Sequence, residues 1–139
     1  MIVQSEISSR ILTLRGKQVI LDRDLAELYQ VKATRLREQV KRNSKRFPDD
    51  FMFQLTDNEV ELMVSQNAIP SKQHLGGALP YAFTEQGVYM LATVLNSDVA
   101  IDVNIAIMRT FTKLREFSKH YNALAKQLIE IDRKHGLSS

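Results

Sequence analysis

Basic side chains are concentrated in one short stretch of the sequence, between Lys32 and Arg46. That stretch holds seven lysines and arginines and a single acid, Glu38, so it carries a net charge of +6. The whole chain of 139 residues carries only +3, and the remainder therefore sums to −3. A positive charge this localised favours a polyanionic partner such as nucleic acid.

The residues around this basic stretch have the spacing of two short helices joined by a tight turn. In a helix-turn-helix unit the first helix has a small residue where the helices cross, the turn has an apolar residue, and the second helix has inward apolar residues. Residues 22–43 supply these in order: Ala26, Val31, Leu36 and Val40. The turn position that usually takes glycine is Gln30, and glutamine adopts the positive φ needed there at a cost of about 1 kcal/mol.

If Leu36 and Val40 point inward, the second helix presents its polar side chains to solvent. The leading turn of such a helix enters the major groove and meets the base edges. We therefore expect base contacts from Lys32, Thr34, Arg37, Glu38 and Lys41. Arg37 is the leading candidate, because an arginine can bond O6 and N7 of guanine together. Phosphate contacts, which carry no sequence information, are expected from Arg35, Arg42, Lys45 and Arg46.

The elements expected to position this unit indicate an α+β fold. Residues 11–14 and 17–21 predict a β-hairpin that turns at Arg15-Gly16. Asp22 stands where an N-cap would begin the first helix, and the second helix is expected over residues 34–46, ended by Pro48 with Phe47 inward. Short strands at 51–55 and 81–83 predict a small antiparallel sheet.

Capping threonines mark two further helices, and one long helix ends the chain. Thr56 and Glu59 form a capping-box pattern, and Thr84 precedes the segment TEQGVYMLATVL. Residues 66–80 contain two prolines and a Gly-Gly pair without periodicity, which predicts an exposed connector. Ser97 is expected to cap a helix that continues nearly to His135.

The last helix contains two successive apolar stripes. The first is expected to face the core: Val103, Ile107, Phe111, Leu114 and Phe117. The second follows the alternating 3 and 4 spacing of a heptad seam: Tyr121, Leu124, Leu128 and Ile131. Two interpretations stay open, an amphipathic end that packs on its own domain or frays, and a homodimeric coiled coil or entry to a further C-terminal region.

Several classes of function find little support in the sequence. The chain has no cysteine, and its three histidines show no ligand-like pairing. The Gly76-Gly77 pair lacks the lysine and the setting of a phosphate loop, and the adjacent acids Asp49 and Asp50 are typical of a solvated turn. No apolar run reaches the ~20 residues of a membrane span, and no signal peptide is evident. We therefore expect a cytoplasmic protein that is not an enzyme and has no metal or cofactor.

Three segments in order resemble the phage ORF-six amino-terminal domain, which is related to the KilA-N and Bro amino-terminal domains. They are LRGKQVILDRDLAELYQV, VKRNSKRFPDDFMFQLT and LPYAFTEQGVYMLATVLNSDVAIDVNIAIMRTF. The resemblance covers residues 7–117 and implies a DNA-binding module of phages, prophages and their bacterial hosts, often joined to a variable C-terminal region and sometimes linked to antirepressor-type regulation. It divides the chain into a KilA-N-like DNA-binding domain, 1–117, and a helical tail, 118–139.

Two functional hypotheses follow from these observations. The first is double-stranded DNA binding by a transcriptional regulator or antirepressor-like protein through residues 32–46. The second is a protein-interaction adaptor that acts on a repressor without touching DNA, through the last helix or the 66–80 segment. A basic helix face is also often only solvated, with Glu38 paired to Arg35 or Arg42.

Overall fold

The structure is a computed structural model that describes residues 4–75 and 77–136. It confirms an α+β fold with an N-terminal hairpin, an antiparallel sheet and a long last helix. In chain order the elements are α1 (Gln4–Ser8), β1 (Ile11–Leu14), β2 (Lys17–Leu21), α2 (Asp22–Tyr29), α3 (Ala33–Arg42), β3 (Met52–Gln54), α4 (Asp57–Ser65), β4 (Tyr81–Phe83), α5 (Glu85–Leu95) and α6 (Asp98–Gly136). Short 3-10 turns cover Ser44–Arg46 and Gln73–Leu75.

The predicted hairpin joins β1 to β2 through a two-residue loop. Leu14 pairs with Lys17, which leaves Arg15 and Gly16 as the loop. Both residues have positive φ, 53° and 73°. Two consecutive positive φ values define a type I′ turn, whose twist matches the right-handed twist of the flanking strands.

Four antiparallel strands form one sheet in the order β1-β2-β4-β3. The alternation of side chains along β2 places Ile20 on one face, and Val19 and Leu21 on the other. The first face packs with α1, α2, α3, α5 and α6 in the larger hydrophobic core, which includes Phe83. The second face packs with α4 in a smaller core. The sheet is therefore covered on both sides and supports α2 and α3 from the larger core.

The segment 66–80 is more than the exposed connector that the sequence predicts. Ile69 and Leu75 are buried in the smaller core, and Leu75 ends a 3-10 turn. The prediction that the whole segment is exposed is therefore wrong. Two apolar residues without a periodic pattern are enough to anchor a loop to a sheet face.

Threonine and serine side chains begin three helices as predicted. Thr56 and Glu59 form a complete capping box at α4. The Thr84 hydroxyl accepts a hydrogen bond from the Gly87 N–H at 3.4 Å, and the Ser97 hydroxyl accepts one from the Ala100 N–H at 3.1 Å. These side chains satisfy backbone donors that have no partner within the helix.

The last helix, α6, packs on the domain only over its first half. Val103, Ile107 and Phe111 are buried, as predicted. Phe117 is 68% exposed, so its assignment to the core is wrong. Between residues 116 and 134 the structure describes only exposed or half-buried side chains. The second half of the helix thus extends beyond the domain. In the described residues, no helix has the length and apolar character required to cross a membrane.

Candidate nucleic-acid interface

The turn between α2 and α3 has the backbone geometry that the sequence pattern predicts. Gln30 is left-handed, with φ 60° and ψ 42°. Its N–H donates to the Glu27 carbonyl at 3.2 Å, and the Val31 N–H donates to the Ala26 carbonyl at 2.9 Å. These two bonds form a Schellman motif, which usually has glycine at the left-handed position. The motif fixes where α2 ends and the direction in which α3 leaves.

The inward side of α3 is anchored in the larger core. Leu36 is fully buried and Val40 is 7% exposed, and Phe47 after the helix is also buried. Ala26 of α2 is buried in the same cluster. Leu36 and Val40 therefore point inward, as the prediction of an outward basic face on α3 requires.

The exposed side of α3 is centred on Glu38. At 100° per residue, the direction opposite the midpoint of Leu36 and Val40 falls at Glu38, with Thr34 and Lys41 about 40–60° to one side. Arg35 and Arg42 lie about 40–60° to the other side by the same count. All of these side chains are exposed, as is Lys32 at the N-cap of α3.

The helix is shorter than predicted, which separates the last two cations from it. α3 ends at Arg42, and Asn43 interrupts it before the 3-10 turn Ser44–Arg46. The Asn43 side chain donates to the Gln39 carbonyl at 2.8 Å, which helps to cap the helix end. Lys45 and Arg46 remain exposed, but they project from this separate turn.

Arg37 lies at the border of the exposed face, about 80° from the buried midpoint by the same helical count. Its Nε donates to the Asp22 carboxylate at 2.7 Å. The Arg37 side chain is 25% exposed, and Asp22 has no exposed surface. Arg37 Nη2 is buried and has no hydrogen-bond partner in the part of the chain that the structure describes. In the free protein the guanidinium is therefore directed toward the domain.

Asp22 does not have the position predicted for it. It is the first residue of α2, the cap position is Leu21, and no side-chain cap is present. One carboxylate oxygen accepts the Arg23 N–H at 2.8 Å, and the other accepts from Arg37. A carboxylate in the first turn also interacts favourably with the helix dipole. The Asp22–Arg37 ion pair thus ties the start of α2 to the middle of α3, a contact that the local sequence does not predict.

The other cations of the stretch face solvent without internal partners. Among residues 4–75 and 77–136, none of the six forms an ion pair: Lys32, Arg35, Lys41, Arg42, Lys45 and Arg46. When Arg37 is counted as neutralised by Asp22, the stretch retains +5. Unpaired surface cations concentrated on one helix face and the turn after it provide a strong local positive potential.

One flank of α3 borders an open groove. The cavity is about 430 Å³ and lies between the helix and the edge of the sheet. Glu38 and Lys41 contribute from the helix, and Met52 and Tyr81 contribute from the strands. The exposed face of α3 is consequently accessible from this side.

The acids outside this region have structural partners or lie in solvent. Glu85 pairs with Arg115, and Thr84 caps α5. Asp49 and Asp50 are exposed. No group of three potential metal-ligating side chains occurs within the described ranges.

One comparison with known proteins gave a match. The model of the ORF6N domain matches residues 9–94, well over half of the chain. The match includes α2, α3 and the whole sheet, and it ends before α6 begins. Neither the curated proteins nor the solved structures gave a match.

Proposed function

Since the chain belongs to the ORF6N domain family, we propose that it is a phage- or prophage-type module that binds duplex DNA through the exposed face of α3. It acts in the bacterial cytoplasm as a transcriptional regulator or antirepressor-like protein. The observation that carries this proposal is the set of unpaired cations on and beside a helix whose opposite side is anchored by Leu36 and Val40. A rigid helix of this kind can present side chains to the major groove.

Within this proposal, the centre of the exposed face contacts the bases. Lys41 donates to O6 or N7 of guanine, and Thr34 bonds to whichever base edge is opposite it. Glu38 accepts from the N4 amine of cytosine. A carboxylate in the middle of a cationic face weakens phosphate binding, so its contribution is base discrimination rather than affinity.

The flanking cations bind phosphates in this proposal. They are Lys32, Arg35, Arg42, Lys45 and Arg46. Lys32, which the sequence places among the base contacts, is assigned to phosphate here because it is at the N-cap of α3 and not on the helix face. Arg35 and Arg42 lie on the side of α3 away from the groove, and Lys45 and Arg46 extend the charge past the helix end. These contacts set the register of the helix on the duplex and supply salt-dependent affinity.

Arg37 has a positioning role in our proposal instead of the base-reading role expected from the sequence. Moving its guanidinium to a base would leave the buried Asp22 carboxylate unpaired, at a cost of about 3–5 kcal/mol. A bidentate guanine contact returns only about 1–3 kcal/mol of discrimination. The exchange is unfavourable, so Arg37 stays on Asp22 and holds α3 in place.

Selection of bound duplexes from a random pool tests the proposal. We expect a defined site, and we expect Glu38→Gln to change the preference at one base pair from cytosine to adenine, because glutamine pairs with N6 and N7 of adenine. Glu130→Gln on the exposed tail is the matched control and should leave the selected site unchanged.

The phosphate role has a separate signature. Lys45→Ala should weaken binding to all sequences alike, whereas a base-contacting residue changes preference at one position. If no duplex is bound even at low salt, the DNA-binding proposal is refuted, and the adaptor that acts on a repressor becomes the better hypothesis.

A further inference from the structure

The part of α6 that extends beyond the domain exposes a continuous apolar line. Its members are 46–68% exposed: Phe117, Tyr121, Leu124, Leu128 and Ile131. Isolated apolar residues on a surface are ordinary, but five large ones in a row along one helix indicate a contact surface. We call these five residues the tail stripe.

The spacing of the tail stripe is that of a coiled-coil seam. Successive members are separated by 4, 3, 4 and 3 residues. This is the spacing of the a and d positions of a heptad, with Tyr121 and Leu128 at a and the other three at d. A stripe confined to a and d is narrow and suits a single partner helix.

The protein's own domain does not cover this seam. Val103 and Ile107 fall at d and a of the same heptad register, so the tail stripe continues the buried seam past the point where the domain ends. Its five members are each at least 46% exposed, so a second helix can lie along the tail stripe C-terminal to the domain.

We propose that the tail stripe pairs with the same stripe of a second copy in a parallel, in-register coiled coil. The residues that flank the seam support a second copy of the chain as the partner helix. In a parallel pair, Gln127 lies beside the partner's Asp132 and can donate to its carboxylate, and His120 lies beside the partner's Ala125. No like charges meet at these pairs. The antiparallel pair that aligns Tyr121 with the partner's Leu124 instead brings Lys113 beside the partner's Lys134, which is repulsive.

The surface area that the seam can bury determines how strongly two copies should associate. Ten apolar side chains from two copies bury roughly 1,000 Å² in total, which is at the lower limit of stable protein interfaces. Two heptads are also short for a coiled coil. We therefore expect a monomer–dimer equilibrium in the micromolar range rather than a permanent dimer.

This dimer does not depend on DNA binding, and its test needs no DNA. Sedimentation equilibrium of the full chain from roughly 5 to 500 µM should show the mass rising from the 15.9 kDa of one chain toward twice that value. Leu128→Glu should weaken self-association by at least about a hundredfold, because each copy would bury an unpaired carboxylate in the seam.

Ile129→Glu is the matched control, because Ile129 is the next residue, is 59% exposed and lies off the seam. We expect it to dimerise like the unaltered chain, and circular dichroism should show that both variants remain helical. A monomer across the whole concentration range, or equal loss in both variants, overturns the proposal.

Cross-linking tests the orientation, since the chain has no cysteine of its own. In the parallel dimer, Ile131→Cys places two thiols against each other, and mild oxidation should join the chains. In the antiparallel pair the two positions are 17 residues apart along the seam, or roughly 26 Å, far beyond the ~7 Å limit of a disulfide. Ile129→Cys is the control and should cross-link much more slowly. Slow cross-linking of Ile131→Cys with retained dimer mass overturns the parallel arrangement.

Discussion

Replacing Arg37 by methionine should destabilise the protein far more than the same change at a solvent-exposed arginine of the same helix. Methionine keeps much of the arginine's apolar stem but removes the guanidinium, so the Asp22 carboxylate loses its partner while it has no exposed surface. Breaking a buried ion pair in this way costs about 3–5 kcal/mol. Because Arg37 is 25% exposed and the Arg23 N–H still donates to Asp22, we expect the lower end, about 3 kcal/mol.

Urea unfolding followed by circular dichroism measures the loss in the free energy of unfolding. Thermal unfolding is a second measurement, in which a loss of about 3 kcal/mol should lower Tm by roughly 10 °C for a domain of this size. Arg35→Met is the control, because Arg35 is exposed and has no ion pair in the part of the chain that the structure describes. Its effect should stay within about 0.5 kcal/mol.

A double-mutant cycle separates the ion pair from other effects of the substitution. Asp22→Asn removes the buried charge, so Asp22→Asn combined with Arg37→Met should be at least about 1 kcal/mol more stable than the sum of the single changes predicts. If Arg37→Met is as stable as Arg35→Met, or if the cycle shows no coupling, the inference that this pair holds α3 in place is wrong.

Three further variants test other parts of the fold. Gln30→Gly should raise the free energy of unfolding by about 0.5–1 kcal/mol in urea titrations, since glycine adopts the left-handed turn without strain, and a loss would contradict the turn geometry. Gly87→Ala should unfold the domain or lower Tm by roughly 10 °C or more, because its Cβ would lie 1.9 Å from the Phe51 carbonyl oxygen, and an equally stable variant would refute this packing. The hydrogen bond from Arg15 lowers the pKa of Glu59 to about 2, so this pair contributes stability above pH 4.5 that is lost as the pH falls toward 2. Arg15→Gln should flatten that part of the stability profile, and an unchanged profile would contradict it.

Local patterns in the sequence were sufficient for most secondary structure. The Arg15-Gly16 loop, the capping box at Thr56 and the positive φ at Gln30 each depend on residues close together in the chain. Leu36 and Val40 were identified by helical periodicity and are buried. These features are predictable because they arise from interactions within one or two turns of chain.

The partner of Asp22 could not be predicted in the same way. An aspartate before an apolar-periodic segment fits an N-cap, and nothing in the local sequence distinguishes that role from burial against a side chain 15 residues away. The helical count does place Arg37 nearer the buried side than Glu38. That angular position was the available signal that Arg37 is not at the centre of the exposed face.

The end of the domain along α6 was also beyond sequence reasoning. The buried residues Val103 and Ile107 and the exposed residues Phe117 and Tyr121 all follow the spacing of an amphipathic helix. Periodicity shows which side of a helix is apolar, but tertiary packing decides what covers it. The same limit explains the loop at 66–80, where Ile69 and Leu75 are buried without any periodic signal.

Duplex affinity measured over a series of salt concentrations shows whether the exposed face of α3 binds DNA. Five proposed phosphate contacts per α3 predict a slope of about −4.5 in log K against log salt. Arg42→Ala should reduce the magnitude of that slope by about 1. Binding that does not change with salt, or a slope that Arg42→Ala leaves intact, would mean that the cations of α3 do not contact DNA phosphates.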